Sequence, residues 1–384
     1  MKGIFTCDLF VYLRMPGSKW IIVPLLLLNL GATAQQALLD HPDRLEMVSQ
    51  CLKQTYNYHF TEARSIQQKL YRTDPLHPAY TFLESLIIYW ENFPLTPSEK
   101  EADLFIEKLE KTISLADRML DRDPEDLEGL FFDLFGRAFR AMYWSDNGHP
   151  AKVIADLDNM YKVTVKGFAL KDRFSEFYFS TGLYNYYIEA YPKAHPVYRP
   201  FAVLLRDGDT SLGIKQLQYA IDHTTYIRVE SLLFMTLLQL NYEKNYPLAL
   251  NYASELYRLY PNNVYYMTTY AVVLLRTENY ALAEVLAGKL EKIKADFPLM
   301  ISTLIYAYLN EKYYKNRNRS VTLYETVISK AETFGTFADQ YAALAWMGLA
   351  RINLKNGDRQ EAGRCYKKAS SLTTYTYILN DDWP

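Results

Sequence analysis

The stretch WMGLARINLKNGDRQEAGRCYKKA, residues 346–369, decides the fold. Trp346, Gly357, Ala362, Tyr366 and Ala369 follow one another at offsets of 11, 5, 4 and 3. The glycine separates two helical runs. In the second run, Ala362 and Ala369 share one face at helical spacing. Small residues there let two antiparallel helices approach closely, and Trp346 and Tyr366 fill the gaps beside them. A hairpin built this way cannot cover its own apolar faces and needs neighbours stacked on both sides. The expectation is an all-α solenoid of stacked hairpins around an open concave trough.

The same frame recurs upstream. Ala249, Ala253, Leu256 and Pro261 are spaced 4, 3 and 5 apart, and Ala283, Ala287 and Leu290 repeat the first three 34 residues later. Ala63, Leu70 and Pro75 fit near the other end, with Gln67 where a small residue is expected. This pattern resembles the tetratricopeptide repeat, a helix-turn-helix unit of 34 residues, over 44–77, 226–294 and 343–374. The resemblance implies a right-handed superhelix that binds rather than catalyses.

Apolar residues make up 49% of the 384-residue chain and only 15 residues are glycine. Helical periodicity dominates, with helices expected near 78–92, 99–121, 125–144, 150–170, 173–191, 209–222 and 226–243. Asp-Pro at 74–75 and 123–124, Tyr-Pro at 191–192 and 260–261 and Phe-Pro at 297–298 read as helix ends, because the residue before proline resists the α conformation. His41, His77, His149 and His195 precede proline and read as helix-entry residues rather than ligands. Residues 35–191 form an expected N-terminal helical-repeat lobe, 192–208 a proline-containing connection, and 209–384 a C-terminal lobe.

Residues 1–34 differ from the rest. Lys19 precedes an apolar run from Trp20 to Leu30, and Ala32-Thr33-Ala34 follows, the layout of a cleaved secretory signal peptide. Met15 provides a second, more ordinary start for it. Export to the periplasm or the outer membrane is the expectation. The run holds 11 residues, too few to span roughly 30 Å of hydrocarbon as a helix, so no transmembrane span is expected in the mature chain. Removing Lys2, Arg14, Lys19 and Asp8 from 42 basic and 44 acidic residues leaves 39 and 43, a net of −4. With no basic block, nucleic acid is a poor partner. Cys51 and Cys365 read as buried packing residues.

Motifs for chemistry are absent. The chain has no His-x-x-x-His, Cys-x-x-Cys, glycine-rich phosphate loop or Gly-x-Ser-x-Gly elbow, so neither metal nor cofactor is expected. Arg206-Asp207-Gly208-Asp209 lacks the alternating ligands of a calcium loop and reads as a turn with Asp209 as helix cap. Asp381-Asp382 and Glu125-Asp126 read as solvated turn residues. The 34 tyrosines are the anomaly. Phe177, Tyr184, Tyr187 and Tyr191 share a helical face and Tyr186 points nearly opposite Tyr184, so one ring set can pack inward while the other meets solvent; for any one ring, filling a gap between helices is the favoured reading.

In the repeat family the first helix of each unit lines the trough. Carried onto these registers, the ligand-facing residues are Phe234, Asn241 and Tyr242, then Tyr265, Thr268 and Arg276, then Met347 and Arg351. The function expected is an exported, non-catalytic scaffold binding a peptide or partner protein there. The alternatives are a carbohydrate-binding accessory that stacks exposed tyrosines on sugar rings, and an enzyme with a dispersed site in 78–225.

Overall fold

The computed structural model describes residues 38, 41–194, 199–203 and 205–383; the expected leader, His195 and Pro196 lie outside them. Among the described residues no strand occurs. The N-terminal helices are α1 (Pro42–Tyr56), α2 (Phe60–Thr73), α3 (Pro78–Glu91), α4 (Lys100–Leu120), α5 (Leu127–Asp146) and α6 (Ile154–Leu170). Then come α7 (Phe177–Ala194), α8 (Arg199–Ala202), α9 (Thr210–His223), α10 (Arg228–Asn241) and α11 (Tyr246–Leu259). The series continues with α12 (Val264–Arg276), α13 (Tyr280–Glu291), α14 (Asp296–Lys312), α15 (Arg317–Ala331), α16 (Asp339–Lys355), α17 (Arg359–Leu372) and α18 (Thr376–Leu379). Helices adjacent in the chain pack on one another almost throughout, and alternate helices also touch: α1 on α3, α3 on α5, α12 on α14, α14 on α16. The chain is an all-α helical solenoid with an inner and an outer layer.

The seams are set by small residues. Ala63, Ala249, Ala253, Ala283, Ala287, Ala362 and Ala369 are buried where the two helices of a hairpin meet, while Pro261 is exposed and Trp346 and Tyr366 are half-buried at the edges. Hydroxyls tie helices together: Ser302 Oγ donates to the Ala287 carbonyl at 2.9 Å from one hairpin to the next, and Ser320 Oγ to the Ala307 carbonyl at 3.0 Å within one. Gln67, the departure from the small-residue pattern, does the same work with its amide, donating from Nε2 to the Tyr80 carbonyl at 2.9 Å. Cys51 and Cys365 are buried free thiols.

The inter-helix turns share one backbone device. Gly357 (φ 86°) and Gly148 (76°) have left-handed counterparts at Tyr58 (64°), Lys244 (55°), Glu278 (57°) and Lys315 (58°). In three of these turns the next residue caps the following helix: Asn245, Asn316 and Asp358 accept from the N–H three positions on. Only two of these six residues are glycine, which explains why the turns of the other four hairpins were hard to read in the sequence. A side chain in this region costs about 1–2 kcal/mol, so the other four turns carry strain that hairpin packing overcomes.

Proline placement corrects two readings. Pro192 lies inside α7, in its last two turns, and Phe297-Pro298 opens α14 instead of closing a helix. His77 meets expectation, its Nδ1 accepting from Ala79 N at 3.2 Å at the start of α3. Asp209 caps α9 by accepting from Leu212 N at 2.9 Å. α7 and α9 pack so closely that an ideal Cβ on Gly213 would stand 2.7 Å from Tyr186 N and 2.8 Å from the Gly182 carbonyl. The two solitary glycines therefore mark a backbone-to-backbone crossing. Tyr184, Tyr186, Tyr187 and Tyr191 of α7 are buried on both faces of the helix, Tyr186 as fully as Tyr184, while Tyr178 is half-buried; Phe179 and Tyr186 of α7 pack on Phe234 of α10 and Tyr242 just after it.

The trough is not open. Asn263 Nδ2 donates to the Tyr56 carbonyl at 3.2 Å and Asn57 Nδ2 to the Leu259 carbonyl at 3.3 Å, joining α1 to the α11–α12 turn. Tyr56 Oη donates to the Glu230 carboxylate on α10. Phe93, just after α3, has ring centroids of Tyr265, Phe297 and Phe337 at 5.4–5.6 Å. Thr336 Oγ1 donates to the Asp146 carbonyl at 2.5 Å, across 190 residues. The superhelix curls until its first hairpins meet its later ones, and aromatic rings fill the centre.

Two glycine substitutions should have opposite signs. Gly213→Ala should lower stability by about 1–3 kcal/mol through overpacking at the α7–α9 crossing. Glu278→Gly should raise it by up to about 1 kcal/mol by releasing a left-handed side chain. Thermal melts check both, and a reversal of either sign contradicts the assignment.

Candidate functional site

The residues expected to face a ligand fall into two groups. Phe234, Tyr242, Tyr265 and Arg276 are half-buried, whereas Asn241, Thr268, Met347 and Arg351 are buried. Phe234 packs on Phe179 at 5.4 Å, Tyr242 on Tyr187 at 5.5 Å, and Tyr265 on Phe93 at 5.4 Å. Arg276 and Arg351 come together on a shared partner, Asp381.

That partner corrects a reading. Asp381 is not a solvated turn residue: it is 4% exposed, and only its neighbour Asp382 meets water. After α17 the chain turns back across the inner layer, and α18 touches α16, α17 and, far upstream, α10. Asp381 then sits among cations. Arg351 Nη1 donates to Oδ2 at 2.9 Å, Tyr308 Oη to Oδ2 at 3.0 Å, and Arg276 to Oδ1, with Lys312 Nζ at 3.8 Å. Arg351 also makes a two-pronged pair with Glu311 at 2.8 and 2.6 Å, and Tyr324 Oη donates to the same carboxylate at 2.8 Å. Burial alone would raise the Asp381 pKa, but Arg351, Arg276 and Lys312 outweigh it and hold the carboxyl below its usual value. Trp383 ends the crossing by stacking on Tyr366 at 4.6 Å. The sequence offered no spacing signal for this set, since Arg276 and Asp381 are 105 residues apart.

Three buried carboxylates in 78–225 hold helices together. Asp156 accepts from Arg137 at 3.1 Å and from Arg140 at 2.6 Å, linking α5 to α6. Glu128 is buried, accepting from Tyr226 Oη at 3.1 Å with His77 Nε2 at 3.3 Å. Glu176 receives the backbone N–H groups of Thr225, Tyr226 and Ile227 at 2.6–3.1 Å before α10. Its burial outweighs those three bonds and pushes its pKa up to about 7. Among the described residues no cluster of metal ligands occurs, and no helix is long and apolar enough to cross a membrane.

Several exposed rings pack on other rings, Tyr313 meeting Tyr314 edge to face at 5.0 Å. Tyr219 is sandwiched between Tyr178 at 4.1 Å and His223 at 4.0 Å. Rings used this way have fewer faces left for a sugar.

The crystal structure of yeast Tom70 aligns over 88% of this chain and 93% of its own, at 11% identity and a TM-score of 0.26. No family model and no curated protein matches the sequence. The fold stands on the helix packing described above.

Removing one member of the buried network should be costly. Arg351→Met leaves Glu311 and part of the Asp381 charge uncompensated, so it should lose about 3–5 kcal/mol in denaturant unfolding, with part regained in Arg351→Met/Glu311→Gln. The depressed Asp381 pKa contributes stability above the ordinary aspartate range. That contribution is lost as pH falls through the lower folded value. Asp381→Asn should therefore flatten the acid limb of the stability curve. A loss under 1 kcal/mol in Arg351→Met, or an unchanged acid limb, contradicts the network.

Proposed function

We propose that this chain is an exported, non-catalytic helical-repeat scaffold that binds a segment of a partner protein or peptide on its inner face. Residues 1–34 would direct it to the periplasm or the outer membrane. One observation carries the reading: the inner face already holds a polypeptide segment, residues 375–383, through the arginines that the repeat register assigns to ligand contact. Solenoids present such faces as extended binding surfaces, and peptides dock into them with a few buried side-chain anchors and paired charges. Here the anchors are Tyr377 and Ile378, both buried, and the charge is Asp381.

The test uses the protein in its own envelope. The mature chain should begin at Gln35. A photo-cross-linking residue placed at Phe234 or Tyr242, half-buried on the inner layer, should capture a recurrent partner peptide identified by mass spectrometry. The same probe at Val285, exposed on the outer layer, should not. Capture from Val285 alone, or an N-terminus upstream of residue 20, overturns the corresponding part of the proposal.

A further inference from the structure

We infer that residues 375–383 form a removable strap, exchanged for an extended, carboxylate-bearing segment of the partner; this rests on the inner-face reading above. Charge is the first argument. Without the strap's Asp381 and Asp382, the latter also paired with Lys312, the cations Arg276, Lys312 and Arg351 face only the carboxylate of Glu311. That excess positive charge favours an anionic occupant. The strap supplies it in the free protein, and a partner segment replaces it with a carboxylate of its own.

Hydrogen bonding is the second argument. The strap is a single helical turn whose amides bond internally: Ile378 N and Leu379 N to the Tyr375 carbonyl at 3.0 and 3.1 Å, Asn380 N to the Thr376 carbonyl at 2.9 Å. Its backbone makes no hydrogen bond to three buried polar atoms of the inner layer. There, Asn241 Oδ1, Thr268 Oγ1 and Arg276 Nε are buried without a hydrogen-bond partner among the described residues. Each unpaired buried polar atom is unfavourable in the strapped state. An extended segment points free N–H and C=O groups sideways, so it can donate to Asn241, accept from Arg276 and do either at Thr268. The strap satisfies the charges but not these atoms, and an extended occupant satisfies both. This difference favours exchange once a suitable segment arrives.

Fluorescence anisotropy with the full-length chain tests the exchange. The probes are a fluorescein-labelled peptide of residues 374–383 and the same peptide with both Asp381→Asn and Asp382→Asn. Hydrogen exchange at α18 is read in parallel. The Asp381→Asn chain should bind the acidic peptide at least tenfold more tightly than the wild-type chain, and at least tenfold more tightly than it binds the neutral peptide. Lys312→Gln, which keeps the Arg351–Asp381 pair, should fall between and covers the case in which Asp381→Asn misfolds. Equal tight binding to wild type and variant overturns the strap while leaving the inner-face reading intact. No binding with α18 still protected in the variant also overturns the strap. If α18 is released and no peptide binds, the inner-face reading itself fails.

Discussion

Two helices in a hairpin leave an apolar flank that neither can cover, and each added hairpin passes that flank to the next. Most solenoids end the series with polar caps. Here the unsatisfied surfaces are met by curling. Tyr56, Trp90 and Phe93 from the first hairpins press against Tyr260, Tyr265, Tyr266, Phe297 and Phe337 from the later ones. Edge-to-face rings at these distances add about 0.5–1.5 kcal/mol a pair beyond the area they bury, so the junction is a substantial share of a typical domain stability. The tyrosine excess follows from it. A large ring reaches across a wide gap, and its hydroxyl can find a partner at the far end, as Tyr56 does at Glu230 and Tyr308 at Asp381.

Closure also determines what the inner face can be. An open trough would leave Thr268 and Arg351 wet and their polar atoms solvated. In the curled chain these residues are dry, and polar groups there need protein partners. Arg351, one of the largest fully buried side chains among the described residues, is tolerated because Glu311 and Asp381 surround its guanidinium. Electrostatics thereby fixes where the segment after α17 must lie, and that placement ties α18 to helices drawn from three separate hairpins.

Local features were legible in the sequence and contacts remote in sequence were not. Alanine spacing located the hairpins of α10–α13 and α16–α17, and the helix boundaries expected for 78–243 fall within a few residues of those observed. His77 and Asp209 could be read as caps because capping depends on neighbours two or three residues away. The turn residues hid the repeat: Lys244, Glu278 and Lys315 take the left-handed conformation that Gly357 advertises, yet their identities give no hint of it. A period along one helix says nothing about how many helices surround it, so the opposed rings of Tyr184 and Tyr186 gave no sign that both are buried. Asp381 looked like half of an exposed acidic pair because its cations lie 30 to 105 residues away. Of the candidate site, the register supplied Arg276 and Arg351, but the third cation, Lys312, and the tyrosine at 308 emerge only from packing.

Closure of the superhelix is the claim on which the filled centre, the dry inner face and the strap all depend. Pulsed electron paramagnetic resonance between spin labels at His149 and Thr333, both exposed and flanking the α5-to-Thr336 contact, measures it directly. A single narrow distribution at short distance is the result expected of a curled chain. A broad distribution centred at long distance would show an open solenoid and contradict the account.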